Sequence, residues 1–291
     1  MQQLTVFLQF AWNGISIGAL YSLIAAGITL VYGLSRIIHF AVGELVMLGS
    51  FSTLSVWHAT GSFALGLAFT IPFMAFIGYL TERLVFRFTF NEPMTGFIVS
   101  LGLILVLQGG AIEVWSPNPQ YSQPPIQGSW DFFGVYVRRQ SFINMALVAS
   151  VLAVCYFVLK HTTYGKALRA VSDDSDAAAL MGIPVRTIIM TTFVAGSTLS
   201  GIAGWIVLTN GSITPFIGAN YLLRGFAVAL IGGLGNIQGA AMAGIGLGLV
   251  ESLAAGYVDP GWTDAYVFSI VILILLWRPT GITSGAQGVQ H

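Results

Sequence analysis

Apolar runs constrain this chain more than any motif in it. Nine of them follow one another, at 7–31, 37–57, 63–80, 94–114, 142–159, 187–208, 221–231, 237–253 and 265–277. Most approach the roughly twenty residues that a helix needs to cross the hydrocarbon of a bilayer. Little polar surface is left over. Charged residues make up 8% of the chain, where an ordinary soluble domain carries about 25%, and the mean hydropathy is +0.83. Hydrocarbon offers no water to backbone N–H and C=O groups, so each span must satisfy its own. Runs without strand alternation do this as helices, not as a barrel. The expected fold is all-α: one polytopic transmembrane helical bundle over residues 1–291. Two of the last three runs are short, so the count of spans falls between eight and ten.

Composition also excludes function classes. Eleven Lys and Arg balance eleven Asp and Glu, which leaves no basic footprint for nucleic acid. Membrane lipid is the expected surrounding. The single Cys155 lies in an apolar run and forms no disulfide within the chain. Histidines at 39, 58, 161 and 291 include no i, i+4 pair, so no metal set is expected. There is no G-x-S-x-G elbow, and the start MQQLTVFLQF lacks the cationic region of a removable signal peptide. The phosphate loop G-x-x-x-x-G-K-[ST] is absent too. GLGNIQG (233–239) has the wrong glycine spacing for a dinucleotide fingerprint and lies between apolar runs. No cofactor bound by this chain is expected.

Basic residues orient the spans. Arg36, Arg83, Arg87, Lys160, Lys166, Arg169, Arg186 and Arg278 fall on one side of a nine-span arrangement, leaving Arg138, Arg139 and Arg224 on the other. Cytoplasmic loops attract Lys and Arg. The amino terminus is therefore expected outside and the carboxyl terminus in the cytoplasm. The Pro-, Gln- and Ser-rich segment 116–134 becomes an external loop.

The longest cytoplasmic connection is 161–186. Seven of the chain's 22 charged side chains lie between Lys160 and Arg186. The stretch GKALRAVSDDSDAAALMGIPVR (165–186) reads as two helical pieces. Leu168, Ala170 and Val171 continue the first. Ser172, Asp173 and Asp174 can cap the second, which runs through Asp176, Ala177 and Ala178. Gly182 stops it and Pro184 prevents its continuation. Such a surface helix is either a solvated connector or a knob on which a soluble partner docks.

The segment Asp176 to Gly182, DAAALMG, resembles the EAA-x-x-x-G loop of ATP-binding-cassette importer permeases, with Asp in place of Glu. GKALRA (165–170) and IPV (183–185) resemble the same loop in the branched-chain amino acid permease family. Residues 13–51 and 232–252 are similar to that family's two signature segments, and the likeness runs from Asn13 to Gly281. It implies a bacterial inner-membrane permease subunit of a high-affinity leucine, isoleucine and valine importer. It implies two separate ATPase subunits that bind ATP and grip the short helix, a second, non-identical permease subunit, and an external substrate-binding protein. Arg169, Asp173, Asp174, Asp176, Ala177, Ala178 and Gly182 are the coupling residues it points to.

The apolar pattern breaks in related ways at 32–49 and 231–248, each with a glycine-bearing interruption and then a small-residue helix. Interrupted helices often line a transporter's path, so the two segments are expected to approach each other, with 43 near 239. The plainer reading is that Gly14–Gly18, Gly235–Gly239 and Gly244–Gly248 permit close helix packing. Candidate pathway residues are Asn13, Ser16, Glu44, Ser100, Gln108, Gly233, Gly235 and Asn236. Ionisable groups within spans need an account. Glu44 can pair with Arg36 or with a partner's charge, and with Glu251 it also leaves open an ion-coupled secondary transporter or channel for small amino acids, amides or urea.

Overall fold

The computed structural model describes residues 2–89, 92–132, 134–258, 260–278 and 281–282. His291 and the carboxyl terminus lie outside the described residues. The helices are α1 Gln2–Ser35, α2 Val42–Thr60, α3 Phe63–Leu84, α4 Pro93–Trp115, α5 Arg139–His161, α6 Thr163–Asp173, α7 Ser175–Leu180, α8 Val185–Thr209, α9 Ile217–Gly232, α10 Ile237–Tyr257 and α11 Thr263–Trp277. All but α6 and α7 coincide with the nine apolar runs, which makes the chain an all-α bundle of multiple passes. Among the described residues, six helices are long and apolar enough to cross a membrane: α1, α3, α4, α5, α8 and α10. Helices α9 and α11 are shorter.

Helix α2 misses that apolar threshold for a physical reason. Thirteen consecutive residues, Val42 through Leu54, are buried by protein. A helix with no lipid-facing side does not need an apolar exterior. It tolerates Glu44, Ser50, Ser52 and Thr53 because neighbours satisfy most of them: Ser50 Oγ donates to Gly204 O at 2.8 Å, and the Ser52 and Thr53 hydroxyls meet Thr70 Oγ1 at 3.0 and 2.8 Å.

Small residues set the spacing of the bundle. Helix α1 is about 50 Å long at roughly 1.5 Å per residue and crosses α10 in near backbone contact. A Cβ at Gly18 would lie 2.6 Å from Gly244 O, and one at Gly14 would lie 2.8 Å from Gly248 O. Lipid supplies no hydrophobic drive between helices, so close packing and polar contacts must hold them. Ser22 Oγ donates to Ala241 O at 2.9 Å and Ser252 Oγ to Phe10 O at 2.7 Å. Gly49 packs on Gly201 between α2 and α8 in the same manner. The expected pair Gly235–Gly239 does not. Gly235 occupies the turn before α10 with φ +93°, while Gly239 lies beside Gly232.

The loops sort to two ends. At one end Gln9 bonds Tyr136, Ser122 Oγ donates to Leu208 O, and strand β1 Gln120–Tyr121 pairs antiparallel with β4 Ser212–Ile213. The expected external loop thus contains strands. Its later part forms a hairpin of β2 Ser129–Phe132 and β3 Val135–Arg138, with Val135 and Val137 buried. At the opposite end Ser172 Oγ donates to Gly33 O, Gly33 meets Gly235, and Ile282 N donates to Ile231 O. An alternating course of the nine longer helices among the described residues accounts for this sorting.

Candidate functional site

The charged loop folds into two short helices seated on the bundle. Thr162 Oγ1 caps α6 by accepting from Gly165 N at 3.3 Å. Gly165 has to be glycine, because a Cβ there would sit 2.0 Å from Leu159 O. Asp174 Oδ1 caps α7, accepting from Asp176 N and Ala177 N, both at 2.9 Å. Of the three capping candidates, Asp174 makes the bonds. At the far end Ile183 N donates to Ala178 O at 3.1 Å and Gly182 adopts φ +82°, the left-handed turn that terminates helices. Replacing Asp174 with Ala should cost about 1 kcal/mol of local helix stability. Amide hydrogen exchange over 175–181 would then speed up several-fold, with α8 unchanged.

Burial gives α7 two faces. Ala178 is 3% exposed and packs with Val171 and Ile188, flanked by Leu34, Leu168 and Ile183. Leu180 is 90% exposed and Met181 83%. Asp173, Asp176, Ala177 and Gly182 are also exposed. Arg169 turns back to donate to Leu159 O, tying α6 to the end of α5. Tyr164 Oη shares hydrogen bonds with Thr191 and Thr192 of α8 at 2.9 and 3.2 Å. The loop is therefore bonded to α1, α5 and α8, and its free surface includes a pair of large apolar side chains, Leu180 and Met181. Leu180 and Met181 are not among the coupling residues that the sequence points to. Their signal was two large apolar residues in a stretch otherwise charged or small.

A second feature lies inside the bundle. Helix α1 ends at Ser35, Arg36 turns with φ +51°, and residues 36–41 run back inward without helical structure. Ile37, His39 and Ala41 are buried there. His39 packs against Phe86 and Phe193, and Phe40 against Phe97 and Phe226. Helix α2 starts within the protein. Its partner is the start of α9, not the 233–236 turn. A Cβ at Gly43 would lie 2.2 Å from Gly218 O, and one at Gly218 would lie 2.6 Å from Glu44 Oε1. The neighbour of 43 is therefore 218 and not 239. The true counterpart of the 36–41 break is 210–216, the non-helical approach to α9.

Glu44 is 2% exposed and stands in the first turn of α2 against the first turn of α9. Both helix starts present positive dipole ends, which favour a carboxylate. Its Oε2 finds no hydrogen-bond partner, and no ion pair with Arg36 forms among the described residues. Ser100 accepts weakly from Phe40 N at 3.4 Å, and Gln108 Nε2 reaches Pro215 O at 3.5 Å. Glu44, Ser100 and Gln108 thus gather around the two interrupted segments. Asn13 is exposed and Ser16 partly buried on the first half of α1, apart from that junction. Gly233, Gly235 and Asn236 form the α9–α10 turn. There Asn236 Oδ1 caps α10, accepting from Gln238 N and Gly239 N at 3.0 and 3.1 Å. Glu251 is held by Arg224 at 3.0 Å, and Arg224 also contacts Asp264 at 2.6 Å.

The geometry thus comprises a seated helix with an exposed apolar tip at one end of the bundle and a pair of interrupted helix starts that meet inside it. Residues 10–276 match the family model described as the branched-chain amino acid transport system permease component. The chain belongs to this family. The permease is 31% identical to the high-affinity branched-chain amino acid transport system permease protein LivH of Salmonella typhimurium, over 97% of its own length and 96% of the relative's. It is 30% identical to the corresponding protein BraD of Pseudomonas aeruginosa, over 97% of each chain. Likeness extends to the fructose import permease protein FrcC of Rhizobium meliloti, at 26% identity over 68% of this chain and 58% of that one. No solved structure matches the permease. Membership makes this chain a transport subunit rather than an enzyme.

Proposed function

We propose that the permease is the membrane-spanning subunit of an ATP-driven importer that carries leucine, isoleucine and valine across the bacterial inner membrane. The seated helix α7 with its exposed Leu180–Met181 tip carries this reading. Two such helices, one from this chain and one from a second, non-identical permease subunit, engage two ATPase subunits that bind and hydrolyse ATP. An external binding protein delivers the amino acid to the end formed by 120–138 and 208–213. The α7 end faces the cytoplasm, in keeping with eight of eleven basic residues at that end.

The contacts give the stroke a route. A push on Leu180 and Met181 bears on α7, whose Ala178 sits on Ile188 of α8. It also bears on α6, which is bonded to the end of α1 through Ser172 and Gly33. Helix α8 packs on α2 through Gly204 and α1 packs on α9 through Ile24 and Gly225, so their displacement loads the Gly43–Gly218 junction. The apolar bundle suits aliphatic cargo, and selectivity rests with the external binding protein.

Reconstitution into vesicles with candidate ATPases, a second permease and binding protein tests the proposal. Uptake of radiolabelled leucine should require all of them together with ATP, and excess isoleucine or valine should compete. Uptake without any ATPase, driven by an ion gradient, would establish the ion-coupled alternative instead.

A further inference from the structure

Three arginines that serve only to orient the chain in the sequence converge in the folded protein. Arg83 in the last turn of α3, Arg87 in the following 3-10 turn Phe86–Phe88 and Arg186 in the first turn of α8 line one open cavity of about 360 Å³. All three are exposed. Tyr79 forms part of the wall, with the Arg83 guanidinium over its ring and bonded to its hydroxyl. Glu82 also lines the cavity but is buried. The pocket therefore keeps a net positive charge.

Arg186 is out of place by helix energetics alone. A cation in the first turn of a helix opposes the positive end of the helix dipole. An anion held between Arg186, Arg83 and Arg87 would remove that conflict, and guanidinium forks match phosphate oxygens in two-bond geometry. What surrounds the pocket selects the anion. Phe69, Phe76 and Leu84 on α3 and Phe88 beside it are all exposed, and they continue an apolar outer face away from the arginines. A ligand that fits both features has a phosphate head and hydrocarbon chains. Basic pockets beside membrane helices bind anionic headgroups, at about 1 kcal/mol per Lys or Arg near the surface.

We propose that Arg83, Arg87 and Arg186 hold the phosphate of an anionic phospholipid whose acyl chains lie along α3. Arg186 follows the α7 turn by two residues after Pro184, so the bound lipid braces the segment through which the ATPase stroke enters α8. The site does not depend on which solute is carried.

The test is native mass spectrometry on the delipidated full-length permease titrated with phosphatidylglycerol, phosphatidylcholine or inorganic phosphate. Wild-type protein should prefer phosphatidylglycerol over phosphatidylcholine by about tenfold or more. Arg83→Gln/Arg87→Gln/Arg186→Gln should bring that ratio close to one, while Arg138→Gln/Arg139→Gln at the opposite end leaves it unchanged. Photoactivatable phosphatidylglycerol on the wild-type chain should label peptides around 79–88 and 186–190, which keeps the test independent of how the variants fold. A preference insensitive to the triple change, labelling confined to other helices, or equal binding of inorganic phosphate would overturn the proposal. So would a triple variant that loses ATPase association while keeping its lipid preference, because the pocket would then belong to a protein partner.

Discussion

Truncating Leu180 and Met181 together to Ala should weaken association with the ATPase subunits by about a hundredfold and abolish ATP-driven uptake. Each side chain is free of the bundle, and burying a residue of this size in a partner's groove is worth about 1.5–3 kcal/mol. Two of them represent at least ~3 kcal/mol, and each ~1.4 kcal/mol is a factor of ten in affinity. Ala is the strongest helix former, and the Asp174 cap remains, so α7 should persist. Membrane insertion and thermal stability of the isolated permease should match wild type. Enlarging Ala178 to Leu acts from the other face. It has no space against Val171 and Ile188, so it should unseat α7 and lower the stability of the isolated chain as well. Co-purification of the ATPases, measured beside thermal unfolding of the permease alone, separates the two. Wild-type association in the Leu180→Ala/Met181→Ala variant would remove α7 as the contact.

Gly43→Ala should be among the most damaging single-methyl changes in the bundle. The added carbon would fall 2.2 Å from Gly218 O, a backbone atom that can move only with α9. Overpacking of a close interface costs about 1–3 kcal/mol and sometimes more. Gly218→Ala meets the Glu44 carboxylate instead, and a side chain can yield, so its cost should be smaller. Gly102→Ala on α4 meets nothing within 4 Å and should be neutral. Uptake and detergent-denaturation midpoints across the three variants should therefore rank Gly102→Ala above Gly218→Ala above Gly43→Ala. Equal behaviour of the three would show that the α2–α9 junction is not a tight contact in the working transporter.

Much of this arrangement was legible beforehand for identifiable reasons. Apolar runs in a chain with 8% charged residues leave few choices but membrane helices. The Asp174 cap and the Gly182 stop are local chemistry, readable without tertiary contacts. An interruption within 32–49 was visible because glycines and a few polar residues break the apolar pattern there. Its counterpart was not. Residues 210–216 have the composition of an ordinary surface loop, and only packing shows them leading to a helix start buried against Gly43. The facing of α7 was likewise out of reach. Six residues are under two turns, too few for periodicity to show that Ala178 points in and Leu180 out. The pairing of 120–121 with 212–213 joins residues more than ninety positions apart, and no local pattern announces it.

The central claim is that α7 lies in the cytoplasm beneath a separate ATPase. The most direct measurement replaces Met181 with Cys, with Cys155 changed to Ser, and follows its labelling by a membrane-impermeant maleimide in vesicles of both orientations. Labelling should occur only in inside-out vesicles, and co-assembled ATPase subunits should slow it by about tenfold or more. Labelling from the outside, or at a rate indifferent to the ATPases, would contradict the account.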